Sequence, residues 1–565
     1  VEGLTASDAD GRTLAVEKVQ KNRWRIATAE ASSAVVRYRL YAHEMSVRTN
    51  WVDADFALIQ GAATFLVPAG CEELPHEVRL NFPNGWTTAA SGLPSLDAPS
   101  GSAHFWAEDY DRLVDSPFYV GSATIHKFLA GGREHWLVDE APPTTWDAAR
   151  AVADVTRVAE TALQFWGSAP YERFVFFNLF TEASGGLEHR DSCVLMASRF
   201  KTATREGYLD WLGLVGHELF HAWNVKRLRP IEFDRFDYER ETPTRSLWIV
   251  EGITTYYEDL LLHRAGLVSG SEFLSRLSKT IESVESSPGS RVQPLAEASF
   301  DAWIKYYRKD ENFANSGVSY YNKGAVVAFL LDAAIRRDTA GRRSLDDAMR
   351  LAYARYSGER GYTEREFLAV LEEVAEQPLD SWLARALGAC ALDYEPTLST
   401  FGLRFAEAGS PNRRESAWFG LDAEVQSGRL VVTQIVRRGP AFEAGINVGD
   451  ELIAVDGDRI PAEGWRERLR IARPGTRVDV LVARRERLRN VSLVVGERPR
   501  DRWRLELAPL AGAAGEEARR RRDEWLRGSV APPPLGFDEL ATLDALDERG
   551  EIVGEVILTE PSASR

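Results

Sequence analysis

The stretch from Leu209 to Trp223, L-D-W-L-G-L-V-G-H-E-L-F-H-A-W, constrains this chain more than any other. It is apolar enough to be buried, yet it carries two histidines and a glutamate. On a helix, residues four apart lie one turn above each other on the same face. His217 and His221 therefore aim their imidazoles at a common spot, as a bound zinc ion requires. Glu218 projects from nearly the same face, the position expected of a general base that reaches a water held by such a metal.

A catalytic zinc keeps three protein ligands and one open position, so a third donor must come from elsewhere. The candidate is Glu251 in L-W-I-V-E-G-I-T-T-Y-Y-E-D-L, residues 247–260. A carboxylate inside so apolar a helix is costly to bury unpaired, and coordination to a dication removes that cost. The 29 residues from 222 to 250 leave room for a loop and an antiparallel return helix. Glu258, one heptad further on, is placed to receive the free N–H of a ligating histidine.

At 565 residues, 44% of them hydrophobic, the chain is long enough for three or four domains with large cores. A formal net charge of −16 argues against nucleic acid or an anionic membrane as the main partner. Three dispersed cysteines, Cys71, Cys193 and Cys390, indicate neither a disulfide framework nor a cysteine metal cluster. No run approaches the roughly 18 apolar residues of a membrane span, and Val1-Glu2-Gly3-Leu4 is not a signal segment. The expected compartment is cytoplasmic, or periplasmic or secreted if a leader has been removed.

Residues 1–140 read as antiparallel β, with alternation in Val36–Leu40 and Val78–Phe82, and predict a sandwich or saddle domain. Pro142-Pro143 breaks the chain, and a helix-rich domain over 141–398 follows. Its predicted elements are a helix from Ala148 to Phe165, a strand from Tyr171 to Phe180, and the histidine helix from Tyr208 to Lys226. Further helices are predicted over Leu247–Arg264, Tyr320–Arg337 and Thr363–Leu387. The fold class is thus multidomain α+β. Residues 399–500 return to β with glycine punctuation, and A-G-I-N-V-G-D-E-L-I, residues 444–453, resembles a PDZ domain. There Trp418-Phe419-Gly420-Leu421 is the expected carboxylate-binding loop, with Phe419, Gly420 and Leu421 at its heart. Residues 501–565 form an extension whose arginine-rich helix up to Gly528 reads as a solvated face.

The assembled motifs resemble the glycyl aminopeptidase family of gluzincin metallopeptidases, over about residues 1–500. H-E-L-F-H-A-W-N-V-K-R-L-R-P from His217 and W-I-V-E-G-I-T-T-Y-Y-E-D-L from Trp248 carry the resemblance most specifically. It implies an N-terminal β domain, a thermolysin-like catalytic domain and a PDZ domain. It also implies one zinc per chain on His217, His221 and Glu251, with Glu218 as base. In G-G-L-E-H, residues 185–189, it implies that Glu188 grips a substrate's free amine while Gly185 and Gly186 align its backbone. In Y-Y-N-K-G, residues 320–324, it implies that Tyr321 donates to the oxyanion, with Tyr320 its close rival.

The resemblance also implies a preference for N-terminal glycine or alanine, and peptides with a free N-terminus as substrates. The family carries more β sequence ahead of Val1, so an exposed sheet edge is expected at the N-terminus. The PDZ-like part is expected to contact a peptide, another subunit, or only its own chain. Two rival functions stay open: a zinc endopeptidase in which Glu188 holds no amine, and a peptide-binding PDZ protein with an inactive peptidase fold. Every catalytic position being filled argues against the second, and the lack of a G-x-S-x-G elbow argues against a serine hydrolase.

Overall fold

The computed structural model describes residues 1–28, 31–141, 144–358, 360–406, 417–497 and 503–528. The Pro142-Pro143 break and the tail beyond Gly528 lie outside the described residues.

The N-terminal region is antiparallel β, as its alternation predicts. Strand Glu2–Ser7 pairs along one side with Val35–Arg39, but on the other side Thr13–Leu14 reaches only Ala6 and Ser7, so residues 2–5 have no strand partner there among the described residues. Strand His76–Asn81 pairs with Ser102–Ala107, burying Val78 and Phe105 on one face while Glu77, Arg79 and Trp106 stay exposed. A four-stranded sheet places Phe118–Gly121 between Ala57–Ile59 and Thr88–Ser91.

Strands Thr124–Ala130 and Arg133–Glu140, read from sequence as the end of that domain, instead open the five-stranded sheet of the helix-rich region. The order of this sheet is Thr124–Ala130, Arg133–Glu140, Arg173–Phe180, Ser192–Ala197, Gly185–His189. The second, third and fourth strands run parallel and the last returns antiparallel as an edge. Parallel strands are buried on both faces and so read as continuous apolar runs, which explains Phe174 to Phe177. One face packs on helix Ala148–Trp166 and the histidine helix. The other packs on Val47, Phe56, Leu58 and Tyr119 of the N-terminal region.

Helix Ala148–Trp166 starts at Asp147, whose side chain accepts from the Arg150 N–H, and stops at Gly167 with φ 82°. The continuous helix expected over Thr363–Leu387 is two, Glu364–Ala375 and Asp380–Ala386. Glu376 caps the first helix with a left-handed φ of 58°, and Pro378, two residues on, disfavours helical geometry at Gln377.

The PDZ-like module holds the sheet Leu421–Gln426, Arg429–Ile435, Glu451–Val455, Arg477–Arg484, Arg487–Val494 around its own apolar core. Phe419 and Gly420 lie just ahead of edge strand Leu421–Gln426. Their carbonyls accept from the Ala441 and Val436 N–H groups, and Gly420 has φ 68°. The module is bracketed by Leu403–Phe405 and Leu505–Leu507, which pair with each other. Asn315 latches it to the helical region, donating to Ile435 O and accepting from the Arg437 N–H, both at 2.7 Å.

Helix Gly512–Arg527 then returns to the catalytic core. Trp525 is fully buried among Phe273, Phe329 and Phe401, and its indole N–H donates to Tyr256 Oη at 2.7 Å. The arginine-rich stretch is solvated on one face, as its charges predict, while the other face plugs the core. Among the described residues, no helix is long and apolar enough to cross a membrane.

Candidate active site

The histidine helix spans Arg205–Phe220, capped by Thr204, whose side chain accepts from the Gly207 N–H. It ends six residues before the Lys226 expected from its periodicity. Competing hydrogen bonds end it. His221 Nδ1 sits 2.8 Å from Asn224 O, and the Asn224 amide donates to Ile249 O, Val250 O and Thr254 Oγ1 at 3.2, 3.1 and 3.0 Å. Reaching those partners turns the chain out of the helix, and Val225 takes φ 140°, a costly conformation for a β-branched residue. Asn224 thus ties the histidine segment to the element that carries Glu251. Sequence reasoning missed this role, although Asn224 directly follows the H-E-L-F-H-A-W run.

Glu251 lies on a π-helical turn, Trp248–Gly252, which leads into helix Ile253–Arg264. Such turns are rare and cluster at functional sites. Gly252 presses on Gly324 of helix Tyr320–Asp338; a Cβ on Gly252 would stand 2.5 Å from the Gly324 Cα. The crossing fits only glycines, and it sets Tyr320 and Tyr321 beside Glu251.

Both imidazoles turn Nε2 toward one oxygen. His217 Nε2 lies 3.3 Å and His221 Nε2 3.2 Å from Glu251 Oε2. The opposite ring nitrogens are also engaged, His217 Nδ1 lying 2.8 Å from Glu258 Oε2. Three donors converging on one point, with the far nitrogens of both histidines held, fit a divalent metal. Glu218 adds a second sign, since its buried Oε2 has no hydrogen-bond partner.

Glu188 sits on edge strand Gly185–His189, and its carboxylate, Glu218 and His221 place ligand atoms within 4.8 Å of one another. The strand passes so close that a Cβ on Gly186 would lie 2.0 Å from Glu218 Oε1. Gly185 has φ 132°, which side chains rarely adopt. Its outer edge lacks a strand partner among the described residues, leaving backbone groups for a peptide. Asp115 of the N-terminal region braces this strand and the loop after the histidines. It accepts from Lys226 Nζ at 2.8 Å and the Arg190 N–H at 3.0 Å, and lies 3.1 Å from His189 Nδ1. The tertiary fold alone brings Asp115 here.

At the other histidine, the Tyr321 ring stacks 6.1 Å from that of His217, and its hydroxyl lies 3.1 Å from Tyr307 Oη. Tyr320, its rival, is 1% exposed and packs on Tyr306. Both line the same cavity as Glu188, Glu218 and Glu251.

The electrostatics separate the acids. Burial, reinforced by Glu188 and Glu251, pushes Glu218 up to about 8 against the lowering pull of the two histidines. Burial also acts upward on Glu251, but His221 and His217 outweigh it and hold this carboxyl below its ordinary range. Asp115 follows the same logic, with Lys226 and His189 overcoming the effect of burial.

A family model described as M61 glycyl aminopeptidase matches residues 210–327, and the N-terminal domain of the same family matches residues 1–122. Over these two regions the chain is similar to the M61 glycyl aminopeptidase family. The M61 region covers His217, Glu218, His221, Glu251 and Tyr321, and a PDZ domain model matches residues 417–495.

Among solved structures, an aminopeptidase N family protein from Idiomarina loihiensis is 29% identical. The match has a TM-score of 0.85 and covers 93% of this chain and 91% of that one. An M1 zinc metallopeptidase from Deinococcus radiodurans is 14% identical, with a TM-score of 0.44 over 69% of this chain and 85% of that one. No curated protein matches. The M61 matches and the Idiomarina loihiensis structure support a peptidase.

Proposed function

We propose that the protein is a zinc-dependent aminopeptidase that releases N-terminal residues, glycine or alanine by family resemblance, from peptides. The observation that carries this reading is the convergence of His217 and His221 on Glu251, with Glu218 beside them and Glu188 at one end. His217, His221 and Glu251 would hold the zinc. When bound, zinc supplies Lewis acidity and makes water an effective nucleophile near neutral pH.

The chain's own residues do the rest. Glu188 pairs with the substrate's N-terminal ammonium by a charge-assisted hydrogen bond, fixing the first peptide bond at the site. The edge of strand Gly185–His189 aligns the backbone. Glu218 takes a proton from the attacking water and delivers it to the leaving nitrogen. Tyr321 donates to the oxyanion of the tetrahedral intermediate, worth on the order of 3 kcal/mol of barrier. The PDZ-like module offers its edge strand Leu421–Gln426 to an extended peptide.

Zinc content and hydrolysis of glycine and alanine chromogenic amides test the reading. Glu218→Gln should keep zinc and lose turnover, and unchanged turnover sinks the mechanism. Glu188→Ala should lose its preference for free over N-acetylated substrates. Activity confined to internal bonds would instead identify an endopeptidase.

A further inference from the structure

The cleft contains large apolar side chains that the mechanism does not use. Phe300 ends helix Leu295–Phe300, and Trp303 lies on the π-helical turn Ala302–Tyr306 that follows it. Both line the cavity that holds Glu188, Glu218 and Tyr321, and they are 44% and 50% exposed. Tyr307, also lining it, is 39% exposed. Solvent-facing aromatics gathered inside a cleft mark a binding surface.

Trp303, Tyr307 and Tyr321 form one row, with Phe300 lining the same cavity. The Trp303 ring stacks on Tyr307 with centroids 4.9 Å apart, and the Tyr307 hydroxyl meets that of Tyr321 at 3.1 Å. Arg48 of the N-terminal region reaches across to place its guanidinium 5.3 Å from the Tyr307 centroid. The row therefore begins at the oxyanion end of the site and is braced from two domains.

The site supplies the direction. Glu188 groups with Glu218 and His221, whereas Tyr321 lies against His217. A peptide whose amine is at Glu188 and whose first carbonyl is at Tyr321 continues onto Tyr307 and Trp303. Extended chain advances roughly 3.5 Å per residue, so the shelf meets the second or third residue.

We propose that Trp303, with Tyr307 and Phe300, forms a subsite that selects peptides carrying an aromatic or large apolar side chain just downstream of the cleaved bond. The direction rests on the aminopeptidase reading; the shelf rests on its own geometry. Offset or edge-on ring pairs gain free energy beyond their buried area, whereas an alanine side chain covers little of the shelf.

The test is equilibrium binding, by calorimetry, to the zinc-loaded Glu218→Gln protein, which needs no turnover. The probes are Ala-Ala-Ala, Ala-Phe-Ala, Ala-Ala-Phe and N-acetylated Ala-Phe-Ala. A phenylalanine peptide should bind about tenfold tighter than Ala-Ala-Ala. Adding Trp303→Ala should abolish that ratio, and Trp303→Phe should preserve it. Equal affinities for all free peptides, or a preference that survives Trp303→Ala, overturns the proposal. If the acetylated peptide binds as tightly as the free one while Trp303 still governs the preference, the amine-anchor reading fails and the shelf stands.

Discussion

Gly252 and Gly324 touch backbone to backbone, so that a Cβ on Gly324 would stand 2.7 Å from the Gly252 Cα. This contact sets the distance between the Glu251 turn and the tyrosine helix. Gly252→Ala or Gly324→Ala should force the two apart at a cost of about 1–3 kcal/mol. Misplacing Tyr321 and Glu251 by about an ångström should lower kcat/KM on the order of a hundredfold. Thermal denaturation and kinetics on an alanine amide measure both, and full activity in either variant would show that the spacing is not critical.

Glu258 holds the far nitrogen of His217. Glu258→Gln should keep the fold but weaken zinc binding about 10–100-fold, the usual effect of losing a group that orients a metal ligand. Competition with a chelator of known affinity reads this directly. Asn224→Ala should do the same and also cost about 2–3 kcal/mol of stability, because it removes two N–H donors shared among three acceptors on the element that carries Glu251.

His135 provides a pH signature away from the cluster of His217, His221 and Glu251. It is buried between Phe128 and Phe176, with its ring nitrogens 3.1 Å from Arg133 O and Tyr171 Oη. Burial lowers its pKa to about 4. The unfolded chain takes up this proton near pH 6.5, so stability from His135 is full above that pH. It is lost as the pH falls from about 6.5 to about 4, by on the order of 3 kcal/mol. Urea titrations between pH 7 and pH 4 should show His135→Phe losing less stability over this window than the parent protein. Parallel slopes would refute the assignment.

Trp525 makes the C-terminal helix part of the catalytic core. Trp525→Ala should cost about 3–5 kcal/mol and destabilise the region around Tyr256 and Asp332, which are joined at 2.8 Å. If the PDZ-like module unfolds separately, its transition should stay in place while the main one moves, as two-wavelength melting would show.

The sequence by itself determined the fold class and the grouping of side chains on which the proposed metal site rests. His217, Glu218 and His221 are local: their spacing on one helix is enough to place them together, whatever surrounds that helix. Glu251 was legible because a lone carboxylate in an apolar run has few stable fates. The β texture of the N-terminal region and the glycine pattern of the PDZ-like module were legible for a similar reason, since both follow from periodicity and turn chemistry.

What only the tertiary structure decided involves residues far apart in the chain. The histidine helix stops at Phe220 because Asn224 finds partners at Ile249, Val250 and Thr254, and local propensity has no access to those. Asp115 meets Lys226 across 111 positions, and Trp525 meets Tyr256 across 269. Helix Gly512–Arg527 looks like a solvated helix because one of its faces is; the tryptophan on the other face has meaning only once the core it fills exists. The row from Tyr321 through Tyr307 to Trp303 likewise becomes a surface only when a π-helical turn and a separate helix are folded against one cleft.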